Sequence, residues 1–90
     1  MLDTVSFESR LKTDGYVEIE RKRYEPRPAN GEHGHHFSVR GLILDGAFII
    51  TLEGVERTYR PGEIFEVEAG RMHFEAVGQE GVELLVGRKY

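Results

Sequence analysis

From Tyr16 onward the chain is cut into runs of four to nine residues, rich in Val, Ile, Phe, Tyr and Thr, by turn signals at Asn30-Gly31, Asp45-Gly46, Glu53-Gly54, Pro61-Gly62, Ala69-Gly70 and Gln79-Glu80-Gly81. Such pairs supply the positive or preset φ that a chain reversal needs, and they are spaced as in an antiparallel β protein. The intervals predict strands over about 16–24, 32–37, 40–45, 47–52, 55–60, 63–67, 72–77 and 82–89. So many short strands cannot bury a face in one open sheet. They must close into a barrel or fold into two facing sheets, as jelly rolls do. The expected fold class is therefore all-β, a jelly-roll barrel over about 16–89. Only the first residues read as a helix, over about 4–13: Phe7 and Leu11 are four apart with Leu2 and Thr4 upstream, Asp3 or Thr4 caps, and Gly15 closes the C-terminus. The segment 25–32, with Pro26, Pro28 and Asn30-Gly31, reads as the loop entering the barrel.

Ninety residues make one domain, 1–90, with one core. Hydrophobic residues are 39% of the chain and charged ones 31%, a globular and not a disordered balance. Sixteen acidic side chains against 12 Lys and Arg give a net charge of -4, and the short Arg21-Lys22-Arg23 run reads as a solvated strand edge, so no nucleic-acid partner is expected. With no cysteine, disulfides, thiolate ligands and cysteine catalysis are excluded. Apolar stretches as short as Leu42-Ile43-Leu44 and Ala47-Phe48-Ile49-Ile50, and an acidic start lacking a signal-peptide pattern, lead to the expectation of a cytoplasmic protein without membrane partners. Ser6, Ser9 and Ser38 have no base positioned for hydrolysis, no glycine-rich phosphate loop is present, and Phe48, Phe65 and Leu85 read as plain core.

All four histidines fall in two places: His33, His35 and His36 together, and His73 some forty residues later. Alternate strand residues share a face, so His33 and His35 point one way and His36 the other. The three strand-and-turn units between the clusters are enough chain to bring 72–77 back beside 32–37, where His73 supplies a third imidazole and Glu75, of the same parity, offers a carboxylate. Either group alone reads as a solvated turn or an ordinary histidine, and a bulge that reverses parity would turn Glu75 to solvent. Together they suit a divalent transition ion, Fe, Mn, Co, Ni or Zn, whereas Mg and Ca prefer oxygen.

These residues resemble the small single-domain cupins, whose barrel is a double-stranded β-helix. Gly31, His33, Gly34, His35 and Gly46 fit the first cupin motif, and Pro61-Gly62, Glu68-Ala69-Gly70 and His73 fit the second, with Gly62 and His73 at the expected separation. The resemblance implies a metal inside the barrel held by His33, His35 and His73. Three positions depart from the pattern: Val39 stands where the first motif has its ligand Glu, Glu68 where the second has Pro, and Val77 where it ends in Asn. The metal is then held by three imidazoles plus water, or Glu75 replaces the carboxylate, or the cavity binds something without metal. The first is favoured, with Glu75 a fourth ligand, or an acceptor and general base beside the metal.

Three neutral ligands leave an ion its full charge and open positions, which favours an anionic chelating partner. Three-histidine cupins similar to this chain include thiol and diketone dioxygenases, and the same architecture supports isomerases, decarboxylases and binding modules. One reading is a mononuclear metal-dependent enzyme, dioxygenase-like or a related lyase or isomerase, acting on a small organic acid or carbonyl compound with Glu75 as catalytic acid or base. The other is a non-catalytic small-molecule-binding cupin whose metal is structural or anchors a ligand. The inward parity of Phe37, Val39, Gly41 and Ile43 gives an apolar wall, leaving Glu75, with Arg40 or Tyr59, as the nearby chemistry. Exposed sheet edges and the resemblance together suggest a homodimer.

Overall fold

A computed structural model describes residues 3 to 90. Helix α1, Thr4–Thr13, is capped by the Asp3 carboxylate, which accepts from the Ser6 N–H at 2.8 Å, and it closes at Asp14 ahead of Gly15 with φ 89°. The contribution expected of Leu2 lies outside the described residues. Phe7 and Leu11 are the face that α1 buries, Leu11 completely, against Tyr16, Leu42 and Leu85. Burying each such side chain stabilises by about 2 kcal/mol.

Five strands follow: β1 Val17–Tyr24, β2 Ser38–Leu52, β3 Val55–Tyr59, β4 Ile64–Val67 and β5 Phe74–Lys89. All pairings are antiparallel. Strands β2 and β5, of 15 and 16 residues, pair with each other along nearly their whole length and run through both halves of the molecule. In one half, β4 and β1 flank them, on residues 39–42 of β2 and 82–88 of β5. In the other, β3 lies on 48–52, while the 27–33 segment lies along 73–77 through bridges at Arg27–Val77 and His33–His73. The result is a jelly-roll barrel of mostly β structure with a short N-terminal helix packed outside it.

Two expected turns are not turns. Asp45-Gly46 and Gln79-Glu80-Gly81 lie inside β2 and β5, so the expected strands 40–45 and 47–52 are one strand, as are 72–77 and 82–89. The pairing shifts register between Ile43 and Asp45 and again between Gly46 and Phe48. Gly46 and Gly81 have φ of 77° and 78°, and a Cβ on Gly46 would stand 2.0 Å from the Gly81 carbonyl oxygen. The glycines thus serve as bulges that bend two paired strands while pairing continues. The expected strand 32–37 is also absent, reduced to the single bridge at His33.

The long strands are apolar on both faces. Ile43, Phe48, Ile50, Val82 and Leu84, with Phe65, Val67 and Val77, form the inner core. Leu42 and Leu85 face the helix, so Leu85 belongs to this second cluster. Gly41 lets the Phe65 ring in, since a Cβ there would lie 2.4 Å from that ring. No helix among the described residues is long and apolar enough to cross a membrane.

Candidate metal centre

The bridge between His33 and His73 is a pair of mutual backbone hydrogen bonds, each 2.9 Å, which sets the two side chains on one face of the local ladder. His35 follows two residues on, and its carbonyl is held by the Gly70 N–H at 2.7 Å, from the Ala69-Gly70 turn. Ser38 steadies the same turn by accepting from the Ala69 N–H at 3.1 Å. Glu75 enters from β5, its N–H donated to Asn30 Oδ1 at 3.3 Å and its carbonyl accepting from Asn30 N–H at 3.2 Å.

One ligand atom from each of His33, His35, His73 and Glu75 lies within 4.8 Å of all the others, so the four form a group that can hold a metal ion. The imidazole centroids are 4.6 Å apart for His33–His73, 5.1 Å for His33–His35 and 5.6 Å for His35–His73. Glu75 Oε2 is 2.7 Å from His73 Nε2, 3.6 Å from His33 Nε2 and 3.9 Å from His35 Nε2. His73 is 1% exposed, the only buried polar or charged residue among those described.

The donor set fits a cation. A backbone carbonyl only accepts, so His33 Nδ1, 2.9 Å from the Gly31 oxygen, and His73 Nδ1, 2.9 Å from the Arg71 oxygen, carry their protons there. Their Nε2 atoms then turn lone pairs toward the Glu75 carboxylate. Two lone-pair atoms 2.7 Å apart repel unless a proton or a metal cation is shared between them. Backbone carbonyls that fix the tautomer in this way are the usual supports of metal-binding imidazoles. Burial holds the His35 imidazole below its ordinary pKa, against the opposing pull of Glu75, which keeps it in the neutral, ligating form. Arg27 holds Glu75 from outside: its Nη1 donates to the Glu75 carbonyl at 2.8 Å, and its Nη2 is 3.8 Å from Oε1, leaving Oε2 to the histidines.

His36 takes no part; its ring packs on Phe37 and Tyr90. Val39 lines the adjoining cavity, and the carboxylate in the donor group comes from Glu75. That cavity, about 150 Å³, is walled by Phe37, Val39, Phe48, Phe65, Leu84 and Val86, with His35 and Glu75 also in its lining. Phe48 and Phe65 are thus cavity wall as well as core.

Arg40 and Tyr59 are not nearby chemistry. The Arg40 guanidinium is bound to Asp14 at 2.5 Å and Glu66 at 3.1 Å and lies 4.6 Å over the Tyr16 ring, while Tyr59 packs on Phe65 under Arg57. Of the cavity's other polar residues, Tyr24 and Arg88 went unread in the sequence, and Lys22 was expected on a solvated edge. Arg21 and Arg23 are exposed as expected of an edge, but Lys22 alternates inward, opposite Leu84. That period-two signal was there, hidden by the like charges on either side. Arg27 left no signal beyond its place between two prolines.

No protein-family model and no curated protein matches the sequence. Solved structures match the fold. A protein of unknown function from Rhizobium leguminosarum aligns at a TM-score of 0.71 and 21% identity, over 79% of this chain and 67% of that one. A cupin-2 domain containing protein from Shewanella frigidimarina aligns at 0.67 and 15%, over 80% and 69%. A cupin 2 conserved barrel domain protein from Salinispora arenicola aligns at 0.67 and 19%, over 80% and 61%. With a barrel that superposes on these over about four fifths of its length, the chain has the fold of the cupin-2 barrels.

Proposed function

We propose that the chain is a mononuclear metal-dependent enzyme, of dioxygenase, lyase or isomerase type, that acts on a small organic acid or carbonyl compound. The observation that supports this best is the convergence of three imidazoles and one carboxylate beside an apolar cavity. His33, His35 and His73 are the proposed ligands, with Glu75 completing the set or accepting a proton beside it. A divalent transition ion bound there supplies Lewis acidity toward a carbonyl or carboxylate, or redox chemistry if it is iron. The chain's own part is to hold that charge among fixed donors, to keep bulk water out with Phe37, Val39, Phe48 and Phe65, and to admit only a small ligand. A cavity of about 150 Å³ suits a molecule of roughly benzene size.

A second reading, a ligand-binding module without turnover, is favoured by one feature. Glu75 is the one carboxylate lining the cavity, beside His35, Lys22, Arg88 and Tyr24, and its 2.7 Å contact with His73 commits it to the donor group.

Protein purified without chelator should carry close to one equivalent of transition metal per chain by elemental analysis. His73→Ala and His35→Ala should each abolish it, while His36→Ala should leave it nearly intact. Metal retained in the His73 variant would sink the proposed centre. Turnover of diketones, thiols or phenolic acids by the loaded protein, followed as oxygen consumption or substrate loss, decides between enzyme and binding module.

A further inference from the structure

Two cations lie on the inner face of the barrel that no role described so far employs. Lys22 on β1 pairs with Leu84, and Arg88 on β5 pairs with Val39 and with Val17. Both line the 150 Å³ cavity together with Tyr24. Their side chains are 30% and 36% exposed and that of His35 is 32%, whereas Phe48 and Phe65 at the wall are each 4%, so the cations and His35 share the open side and these two rings lie behind them. Charged side chains on an otherwise apolar inner face cost desolvation unless a counter-charge meets them. Each has one acidic neighbour on β1, Glu20 at 3.4 Å from Lys22 and Glu18 at 3.8 Å from Arg88, both on the exposed side, and Arg88 also meets Tyr90. Glu75 also lines the cavity, but its carboxylate faces the histidines and Arg27. The Arg88 guanidinium lies 4.5 Å over the Phe37 ring, which fixes its plane, and its contacts with Tyr90 and Glu18 leave part of its fork of N–H donors for a further acceptor.

We propose that Arg88 and Lys22 form an anion-binding end of this cavity, and that its ligand is a small monocarboxylate with a flat apolar body. The proposal rests on reading this cavity as the ligand site. The carboxylate is held by the paired N–H groups of Arg88 and the ammonium of Lys22. The body lies between Phe37, Phe48, Phe65 and Val39, beside His35 and Glu75. In a chain of net charge -4, two of the three polar residues that the rim adds to this cavity are cations, which points to selection of an anion.

The test uses benzoate, and benzamide as its neutral isostere, titrated calorimetrically into the purified protein and into R88Q, K22Q and H73A. Benzoate should bind the unmutated protein at least about tenfold more tightly than benzamide, the worth of a charged hydrogen bond. R88Q should lose about that factor for benzoate and keep its affinity for benzamide, and K22Q should show a smaller loss of the same kind, both with unchanged metal content. Equal binding of the two probes, no binding of benzoate, or benzoate affinity unchanged in both cation variants overturns the proposal. If only H73A loses benzoate, the carboxylate sits at the histidines; the anion end is then wrong and the metal centre stands. If the protein holds no metal and R88Q still removes the preference, the anion end stands and the metal reading falls.

Discussion

Glu75 shows how much one carboxylate can be constrained by its surroundings. Its backbone is tied to Asn30 on both sides, Arg27 faces one oxygen, and the other oxygen meets His73 at 2.7 Å. A group used as a mobile base needs an open path to substrate, whereas this one is fixed among three imidazoles. Glu75→Gln keeps the shape and removes the charge, so it should weaken binding of a divalent ion by about 10- to 100-fold, read by competition with a coloured chelator. Unchanged affinity with lost turnover would instead make Glu75 a base. The grouping of His33, His35, His73 and Glu75 was legible in the sequence because period-two spacing and chain return do not depend on details of the turns. Arg27 and Lys22 were not, because a lone cation carries no spacing of its own and neighbouring charges mask its direction.

At the level of the strands, the misread turns and the convergence of the histidines with Glu75 have one cause. Gly46 and Gly81 look like hairpin glycines, and a turn and a bulge ask for the same positive φ. The difference lies in what stands opposite, which the local sequence does not encode: here Gly46 meets the Gly81 carbonyl across the ladder. Each bulge also inverts the alternation. Val39, Gly41 and Ile43 face inward at odd positions and Phe48 and Ile50 at even ones; along β5 and the residue before it, His73, Glu75 and Val77 give way to Val82, Leu84 and Val86. Because 73 and 75 lie on the same side of the bulge, their shared parity survived the misreading. Gly46→Ala should therefore cost well over the ~1 kcal/mol of left-handed strain alone, since it adds a clash with backbone. Gly54→Ala is the control, with φ 79° and nothing within 4 Å of its Cβ. Urea unfolding of the two variants separates strain from clash, and equal losses would mean that the strands do not approach as described.

Across the whole molecule, the helix is fastened to the barrel by a polar chain as well as by Leu11. Tyr16 donates to Glu66 on β4 at 2.7 Å, and Arg40 on β2 joins Glu66 to Asp14 at the end of α1. Burial, reinforced by the hydrogen bond to Glu66, pushes the Tyr16 phenol up to about 12. The hydrogen bond from Tyr16 holds Glu66 below the usual carboxylate range, and that from Arg40 does the same for Asp14. A phenol whose pKa is raised by folding stabilises the fold fully below its ordinary value near 10 and loses that contribution as pH rises to about 12. The two depressed carboxylates act at the other end, their contribution present above the usual carboxylate values and lost as pH falls through the folded ones. One of the chain's four phenols should thus ionise at about 12 in an ultraviolet phenolate titration, and Tyr16→Phe should remove that late phase. Its survival in the variant would break the assignment.

The two-faced character of β2 and β5 has a consequence for how such a chain can diversify. Positions that line the cavity and positions that hold the helix are interleaved along the same two strands, one residue apart. Point replacements can therefore redraw the pocket while leaving the helix dock intact, but a one-residue deletion between the dock and a bulge would exchange the two faces at a stroke. New ligand preferences in this scaffold are reached by substitution, and length changes are confined to the loops between strands.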